Sequence, residues 1–317
     1  SPTGLPVEVR LLENKQAIAV KGSDTPLSQG GIDPLTAVEA RVMVSTARVK
    51  EPMVKEGDSF KAISWDEGLK LLEDKIKEAG KEVAMISGDG KGTANELFAN
   101  FLHKATGSPD FFLMPSDLGV AVKVLRDYLG GEGQLGFDME HADTVLIISS
   151  DIFNSCGPVV RNQNVLGEGK AKFIYAGPFQ NNTAEMCKQW IPVKPGAEAD
   201  FCFGLAYHLL SAGAYNFSIT NFDELKSYIE ANYAPAAVEK ATGIKSEVLA
   251  DLAKELKSAG KPLVIPGSPA GQGTGSYAYF AGVVLNLLLD RLNKPGGMTT
   301  IEIPESVIEN PLEPCQT

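Results

Sequence analysis

The stretch Ala142-Asp143-Thr144-Val145-Leu146-Ile147-Ile148-Ser149-Ser150-Asp151, read on to Asp200, decides the fold. An acidic step opens it, an unbroken apolar run Thr144–Ile148 follows, and a polar loop Ser149–Asn154 comes next. A basic, Gly-bearing segment then leads to a second apolar run, Lys172–Ala176, and to a second polar loop, Gly177–Ala184. The stretch closes on Trp190-Ile191-Pro192-Val193-Lys194-Pro195-Gly196. Short β-rich apolar runs without alternation are strands covered on both faces. The polar loops therefore lie at the carboxyl ends of parallel strands, where an open α/β sheet seats a ligand.

Working outward, the strand–loop–helix pattern occurs twice more. Val83–Ser87 is an apolar run that enters the glycine loop Gly88-Asp89-Gly90-Lys91-Gly92 and then a helix from about Thr93 to Ala105. Lys261–Ile265 enters a second glycine loop, Gly267 to Gly275, before a long apolar helix, Tyr277–Leu292, that Lys294-Pro295-Gly296-Gly297 stops. Glycines here let backbone N–H groups approach a phosphate at a helix N-terminus. The first loop is spaced GxGxG rather than GxGxxG, so a plain tight turn accounts for it equally well. Ser64 followed by Glu67 is a capping-box start for a helix whose apolar face is Leu69, Leu72, Ile76 and Ala79. Asn221–Ala241 and Lys245–Ser258 read as amphipathic helices, and Asp200–Ala212 as another helix. The first 60 residues differ: two alternating strands, Pro6–Leu12 and Gln16–Lys21, precede long Gly-, Pro- and Ser-rich connections.

The 317 residues suffice for two ordinary domains. The formal charge of −11 argues against nucleic acid as a partner, and no apolar run approaches the length of a membrane span. Cys156, Cys187, Cys202 and Cys315 form no CxxC pair, and His103, His141 and His208 no metal spacing. Their ordinary reading is as buried thiols and as surface or satisfied core histidines. Ser1 without a preceding Met suggests a processed or incomplete N-terminus.

The order of these features resembles the molybdopterin oxidoreductase superfamily, of the DMSO reductase and formate dehydrogenase type. Trp65-Asp66-Glu67 is similar to that family's SWDEAL helix start, Gly88–Glu96 to its GSGxxTNE loop, and Glu140–Asp143 to its DIExADxxL segment. Ser149–Pro158 stands where the family has GxNPxxxxP, and Lys294–Gly297 is similar to GKPGGG. Trp190–Asp200, similar to WIPIRPGTDAA, is the most specific match. The resemblance implies an α/β protein: a small N-terminal β-module followed by Rossmann-like parallel-sheet domains. It divides the chain into a degenerate iron–sulfur module (1–60), a discontinuous α/β domain (61–140 and 261–317) and an inserted Rossmann-like domain (141–260). Val83–Ser87 and Leu263–Ile265 are then expected as neighbours in one sheet, with Asp143–Tyr175 in a separate one.

Position by position, the resemblance also implies losses. The family's cluster cysteines correspond to Ser1, Leu5 and Asp33, and the lysine between cluster and pterin to Leu35. Iron clusters require thiolates. Met114 stands at the molybdenum-ligand position, and a thioether is a poor anionic ligand for a high-valent metal. Ser116 or Asp117 could slip into its place, but both read better as a helix N-cap. The family's DPRxTxTA becomes Ala176–Ala184, with Gly177 for the Asp and no Arg in place. Gly88, Gly90, Gly92, Ser150, Asp151, Gly177, Lys194, Gly196 and Gly267 are accordingly vestigial pterin-nucleotide positions.

No cofactor, metal or catalytic residue is expected. The pattern of losses resembles that of cofactor-less members of the family, and this resemblance implies a non-catalytic structural subunit of a membrane-associated respiratory complex that passes electrons from periplasmic cytochrome c to menaquinone. Its implied partners are an iron–sulfur subunit, a multihaem cytochrome c and an integral membrane quinone-binding subunit. Leu27, Ile32 and Leu35 are the expected apolar contacts to a neighbouring chain. The competing readings are an active catalytic subunit with a Mo- or W-bis-molybdopterin guanine dinucleotide and a divergent ligand loop, and an independent nucleotide-binding domain using Gly88–Gly92.

Overall fold

Two apolar runs do become neighbouring buried strands, and a third joins them from far along the chain. The structure is a computed structural model describing residues 6–13, 17–26, 28–88, 93–114, 116–213, 220–267, 275–302 and 305–307. The elements run β1 (Val7–Leu11), β2 (Ala17–Gly22), α1 (Pro34–Met43), β3 (Met53–Glu56), β4 (Ser59–Ala62), α2 (Trp65–Ala79), β5 (Met85–Ser87), α3 (Thr93–Thr106), β6 (Phe111–Leu113), α4 (Asp117–Leu129) and β7 (Gln134–Phe137). They continue β8 (Thr144–Ile148), α5 (Val159–Glu168), β9 (Lys172–Gly177), α6 (Asn182–Met186), β10 (Gln189–Pro192), α7 (Glu198–Ser211), α8 (Phe222–Asn232), α9 (Pro235–Thr242), α10 (Ser246–Ser258), β11 (Pro262–Ile265), α11 (Gly275–Leu288) and β12 (Met298–Ile301). The chain divides into two compact units. The first takes Ser1–Arg10, Val20–Ala37 and Ser116–Ile303; the second takes Leu11–Ala19, Val38–Pro115 and Pro304–Thr317.

The first unit is built on a four-stranded parallel sheet of order β10-β9-β8-β11. Its strands are apolar on both sides because both sides are covered. Leu146, Ile148, Ile174, Ala176 and Val264 enter one core with residues of α7, α9, α10 and α11. Val145, Ile147, Phe173, Tyr175, Leu263 and Ile265 enter the other with residues of α4, α5 and α6. The register pairs Val145 with Phe173 on one side and with Leu263 on the other. This corrects the expected sheet: β11 lies beside β8, in the sheet of Asp143–Tyr175, and does not pair with Val83–Ser87. Any continuous apolar run suits either sheet, so partner choice is a tertiary matter.

The outer edge of β11 is closed by a side chain. Asn286 on α11 is fully buried; its Oδ1 accepts from Val264 N at 2.9 Å and its Nδ2 donates to Val264 O at 2.7 Å. The amide thus takes the hydrogen bonds a further strand would have made. One expected helix also changes. Asn221–Ala241 is two helices, because Pro235 opens α9 as its first residue. The segment after Gly297 forms β12, antiparallel to β7 with Met298 opposite Phe137.

In the second unit β3 and β4 form a hairpin. α2 begins as its sequence predicts: Ser64 Oγ accepts from Glu67 N at 3.2 Å, and Ser64 N donates to the Glu67 carboxylate at 2.9 Å. β5 and β6 make a parallel pair bridged by α3, with a small core of Ala99, Leu102 and Phe111. The apolar run Val83–Ser87 reads as a buried strand, and this is corrected here: the strand is Met85–Ser87 and its central Ile86 is 69% exposed.

Candidate functional site

The order of the sheet reverses between β8 and β11. From β8 the chain steps through β9 to β10, then returns to lay β11 on the other side of β8. Open parallel sheets bind ligands in the crevice beyond such a reversal. Four segments meet there: the loop after β8, the loop after β9, the entry to α7, and Pro266-Gly267 after β11.

This chain's own atoms occupy that place. Gly267 is packed so closely that a Cβ on it would lie 2.6 Å from Ile148 O and 2.7 Å from Ser150 Cβ, and Ser150 is buried. At the end of β9, a Cβ on Gly177 would lie 2.8 Å from Tyr175 Cε1 and 3.0 Å from both Tyr175 Oη and Ser149 Oγ. Tyr175 is two residues back on the same face of the strand, so its ring fills the space beside the glycine. Asn181 donates to Tyr175 Oη at 3.1 Å, and burial pushes that phenol up to about 12. Trp190 Nε1 donates to Gly177 O at 3.0 Å.

The polar side chains here satisfy one another. The Asp151 carboxylate accepts from Asn154 Nδ2 at 3.0 Å, Ser155 Oγ at 2.8 Å and Thr183 Oγ1 at 2.7 Å. Thr183 Oγ1 accepts in turn from Phe153 N at 3.1 Å, which ties the loop after β8 to α6. Asn181 caps α6 by accepting from Ala184 N at 2.9 Å. Glu198, only 2% exposed, opens α7 and accepts from Ser149 Oγ at 3.5 Å. Ser149 itself has φ +50°, held by its N–H to Ala176 O at 2.9 Å. Among these residues are two carboxylates, Asp151 and Glu198, and no cation. The positive end of α7 already carries Glu198 and Asp200 in its first turn.

Other positions singled out in the sequence make contacts of their own. Lys194 Nζ donates to Lys240 O at 3.1 Å, and its stem lies against Gly243. Gly196 turns with φ +82° and nothing close to it. Gly88 has open space around it, while Gly90 and Gly92 lie outside the described residues. Ser1 and Leu5 also lie outside them. Asp33 is buried and caps α1: Thr36 N donates to Oδ1 at 3.0 Å and Thr36 Oγ1 to Oδ2 at 2.5 Å. Met114 is 53% exposed. Ser116 Oγ accepts from Gly119 N at 3.1 Å as the N-cap of α4, the role its sequence context suggests. Among the described residues, no three His, Cys, Asp or Glu side chains form a metal-ligand set. Burial pushes the Cys187 thiol up to about 12 and that of Cys202 further up, so both are inert as thiolates.

Sequence reasoning named Ser150, Asp151, Gly177 and Gly267 but missed the groups that fill the space: Tyr175, Ser149, Asn181, Thr183 and Glu198. The available signal was the coincidence of a large residue at 175 with glycine at 177 on one strand face.

The sheet and its reversal define the class, a Rossmann-like α/β domain of the dinucleotide-binding type. The chain belongs to the molybdopterin oxidoreductase family, whose family model matches residues 48–307. Among curated relatives it is 39% identical to the "Menaquinone reductase, molybdopterin-binding-like subunit" of Nitratidesulfovibrio vulgaris, over 97% of this chain and 45% of that protein. It is 25% identical to a nitrate reductase of Symbiobacterium thermophilum, over 90% of this chain and 41% of that protein. The fold is similar to the solved structure of acetylene hydratase from Pelobacter acetylenicus, with a TM-score of 0.70 at 17% identity, covering 89% of this chain and 41% of that one. The chain thus spans less than half the length of these relatives.

The family takes its name from a pterin cofactor, and the described residues of this crevice do not fit a pterin nucleotide. Its phosphates require cationic or N–H donors, whereas the crevice presents two carboxylates and a tyrosine whose ring fills the space beside Gly177.

Proposed function

We propose that this chain is a non-catalytic, cofactor-less structural subunit of a membrane-associated respiratory complex, a menaquinone reductase that takes electrons from periplasmic cytochrome c. The observation that carries the reading is the crevice closed from within by Tyr175 against Gly177 and Ser150 against Gly267. The 39% identical relative, itself called a molybdopterin-binding-like subunit of menaquinone reductase, supports it. The remaining partners are an iron–sulfur subunit, a multihaem cytochrome c and an integral membrane subunit that binds the quinone. In this reading the chain meets the membrane through those partners, on the periplasmic side; among the described residues no helix is long and apolar enough to cross a membrane.

Metal and pterin analysis of the complex purified from its source tests this. Molybdenum, tungsten and the fluorescence of oxidised pterin are expected to be absent. Any of them stoichiometric with this chain would install the opposite reading, an active bis-pterin oxidoreductase with a divergent ligand loop.

The old cluster module is the proposed contact to the partners. Within it Asp33 caps α1, and the next apolar residue, Leu35, is 60% exposed. Ile32 is half-buried, and Leu27 lies outside the described residues. Leu35→Asp is expected to release the partner subunit on size-exclusion chromatography while the chain's own unfolding midpoint stays put, because the side chain supports no core here. Full assembly of the variant, or unfolding without release, refutes the contact.

A further inference from the structure

The first unit holds a hollow on the flank of α11, and none of its lining residues belongs to the loops after β8, β9 or β11. Phe280, Val284 and Leu287 of α11 form the floor; Tyr128 of α4, Leu225 of α8 and Met298 of β12 stand around it. Its volume is about 610 Å³, within the usual range of small-molecule sites. α11 carries no charged residue from Gly275 to Leu288, and a helix that is apolar all round belongs in an interior. Yet Phe280 and Leu287 are only half-buried. Tyr128, stacked on Phe280 with 4.7 Å between ring centroids, is 44% exposed. Although 22% of the chain's residues are charged, no Asp, Glu, Lys, Arg or His lines the hollow among the described residues. Its polar side chains are hydroxyls and amides. Asn293 Oδ1 accepts from Thr299 Oγ1 and Thr300 N, both at 3.2 Å, while its Nδ2 has no protein partner among the described residues. Asn221 stands at the N-cap of α8 without the side-chain bond that an N-cap asparagine usually makes.

We propose that this hollow binds a neutral aromatic compound carrying a carbonyl oxygen. A flat ring extends the stack of Tyr128 on Phe280 and covers the bare part of α11. The carbonyl accepts from the amide donors of Asn293 or Asn221 that the fold leaves unused. An ionic ligand is excluded because no countercharge faces it, and an unpaired charge is costly in an apolar place. A protein partner fits less well. From Phe280 to Leu287 the floor is two turns of α11, about 10 Å long, whereas a stable interface covers roughly 800 Å² on each partner. The inference does not depend on the cofactor reading, since the closed crevice and this hollow share no lining residue.

Photolabelling of the native complex with free benzophenone, a neutral aromatic ketone that inserts into nearby C–H bonds on irradiation, decides it without any substitution. Labelled peptides are expected to come from α11, β12 and the start of α8, and labelling there to saturate. Prodan, a neutral naphthalene ketone, is expected to protect these peptides. Anilinonaphthalene sulfonate, with a similar ring but a negative charge, is expected to protect them roughly tenfold less well. Asn293→Asp keeps the acceptor for Thr299 and Thr300 but replaces the free donor by a charge. It is expected to weaken Prodan binding roughly tenfold while the unfolding midpoint of the chain stays put. Labels confined to other segments, or a groove left unlabelled because a neighbouring subunit covers it, overturn the proposal. So does equal protection by the sulfonate, or an Asn293→Asp chain that binds Prodan as well as the parent.

Discussion

Gly177→Asp, which restores the residue family members carry at this position, is expected to destabilise the first unit by about 3 kcal/mol or more. The new Cβ would meet Tyr175 Cε1 at 2.8 Å and Ser149 Oγ at 3.0 Å. Overpacking of this kind costs roughly 1–3 kcal/mol. The carboxylate would also enter a buried place that already holds Glu198 and Asp151 and offers no cation. An unpaired buried charge adds a penalty at least as large. Tyr175→Ala should cost about 3–5 kcal/mol alone, as deletion of a buried aromatic does. In the double variant the two losses should fall short of their sum by about 1–3 kcal/mol, because the cavity left by the ring accepts the new side chain. Denaturant unfolding of all three variants measures this. A Gly177→Asp protein of unchanged stability would show that the crevice is open and remove the main support for a cofactor-less chain.

Asn286→Leu is expected to lower stability by about 2–5 kcal/mol, although the volumes are similar and leucine suits the apolar core around it. The substitution leaves Val264 N–H and C=O without partners inside the fold, and each orphaned buried group costs roughly 1–3 kcal/mol. At the usual slope for a domain of this size, the melting temperature should fall by roughly 10 °C. Asn286→Asp isolates half of the effect, since it keeps an acceptor for Val264 N but sets an oxygen against Val264 O. Calorimetry that found Asn286→Leu neutral would mean that β11 is paired or solvated along this edge.

Both expectations rest on contacts that local patterns could not reveal. The capping box of α2 and the strands β8 and β9 were legible because each is set by a few consecutive residues: a hydroxyl three before a glutamate, a run of apolar side chains. The helix expected over Tyr277–Leu292 instead runs Gly275–Leu288 and ends before Lys294–Gly297 is reached. The α/β class and the family followed from the same stretches, which the match over residues 48–307 supports. The split at Pro235 was also in principle legible, because a proline cannot continue a helix past its first turn.

The sequence by itself determined that parallel strands end in polar loops, and that the residues of those loops depart from a pterin-binding pattern. Only the tertiary structure decided which strand lies beside which. Pro262–Ile265 pairs with Thr144–Ile147, 118 positions earlier in the chain, and hydrophobic runs carry no label for a partner at that distance. Only the tertiary structure, too, gave Tyr175 its role. A tyrosine two residues before a glycine is unremarkable in a sequence. It becomes a plug when the strand ends, the ring turns over the glycine, and Asn181 from the next loop holds its hydroxyl. Burial is a property of the assembled layers, so Ile86 and Leu146 look alike in the sequence, yet one is bare and the other fully enclosed.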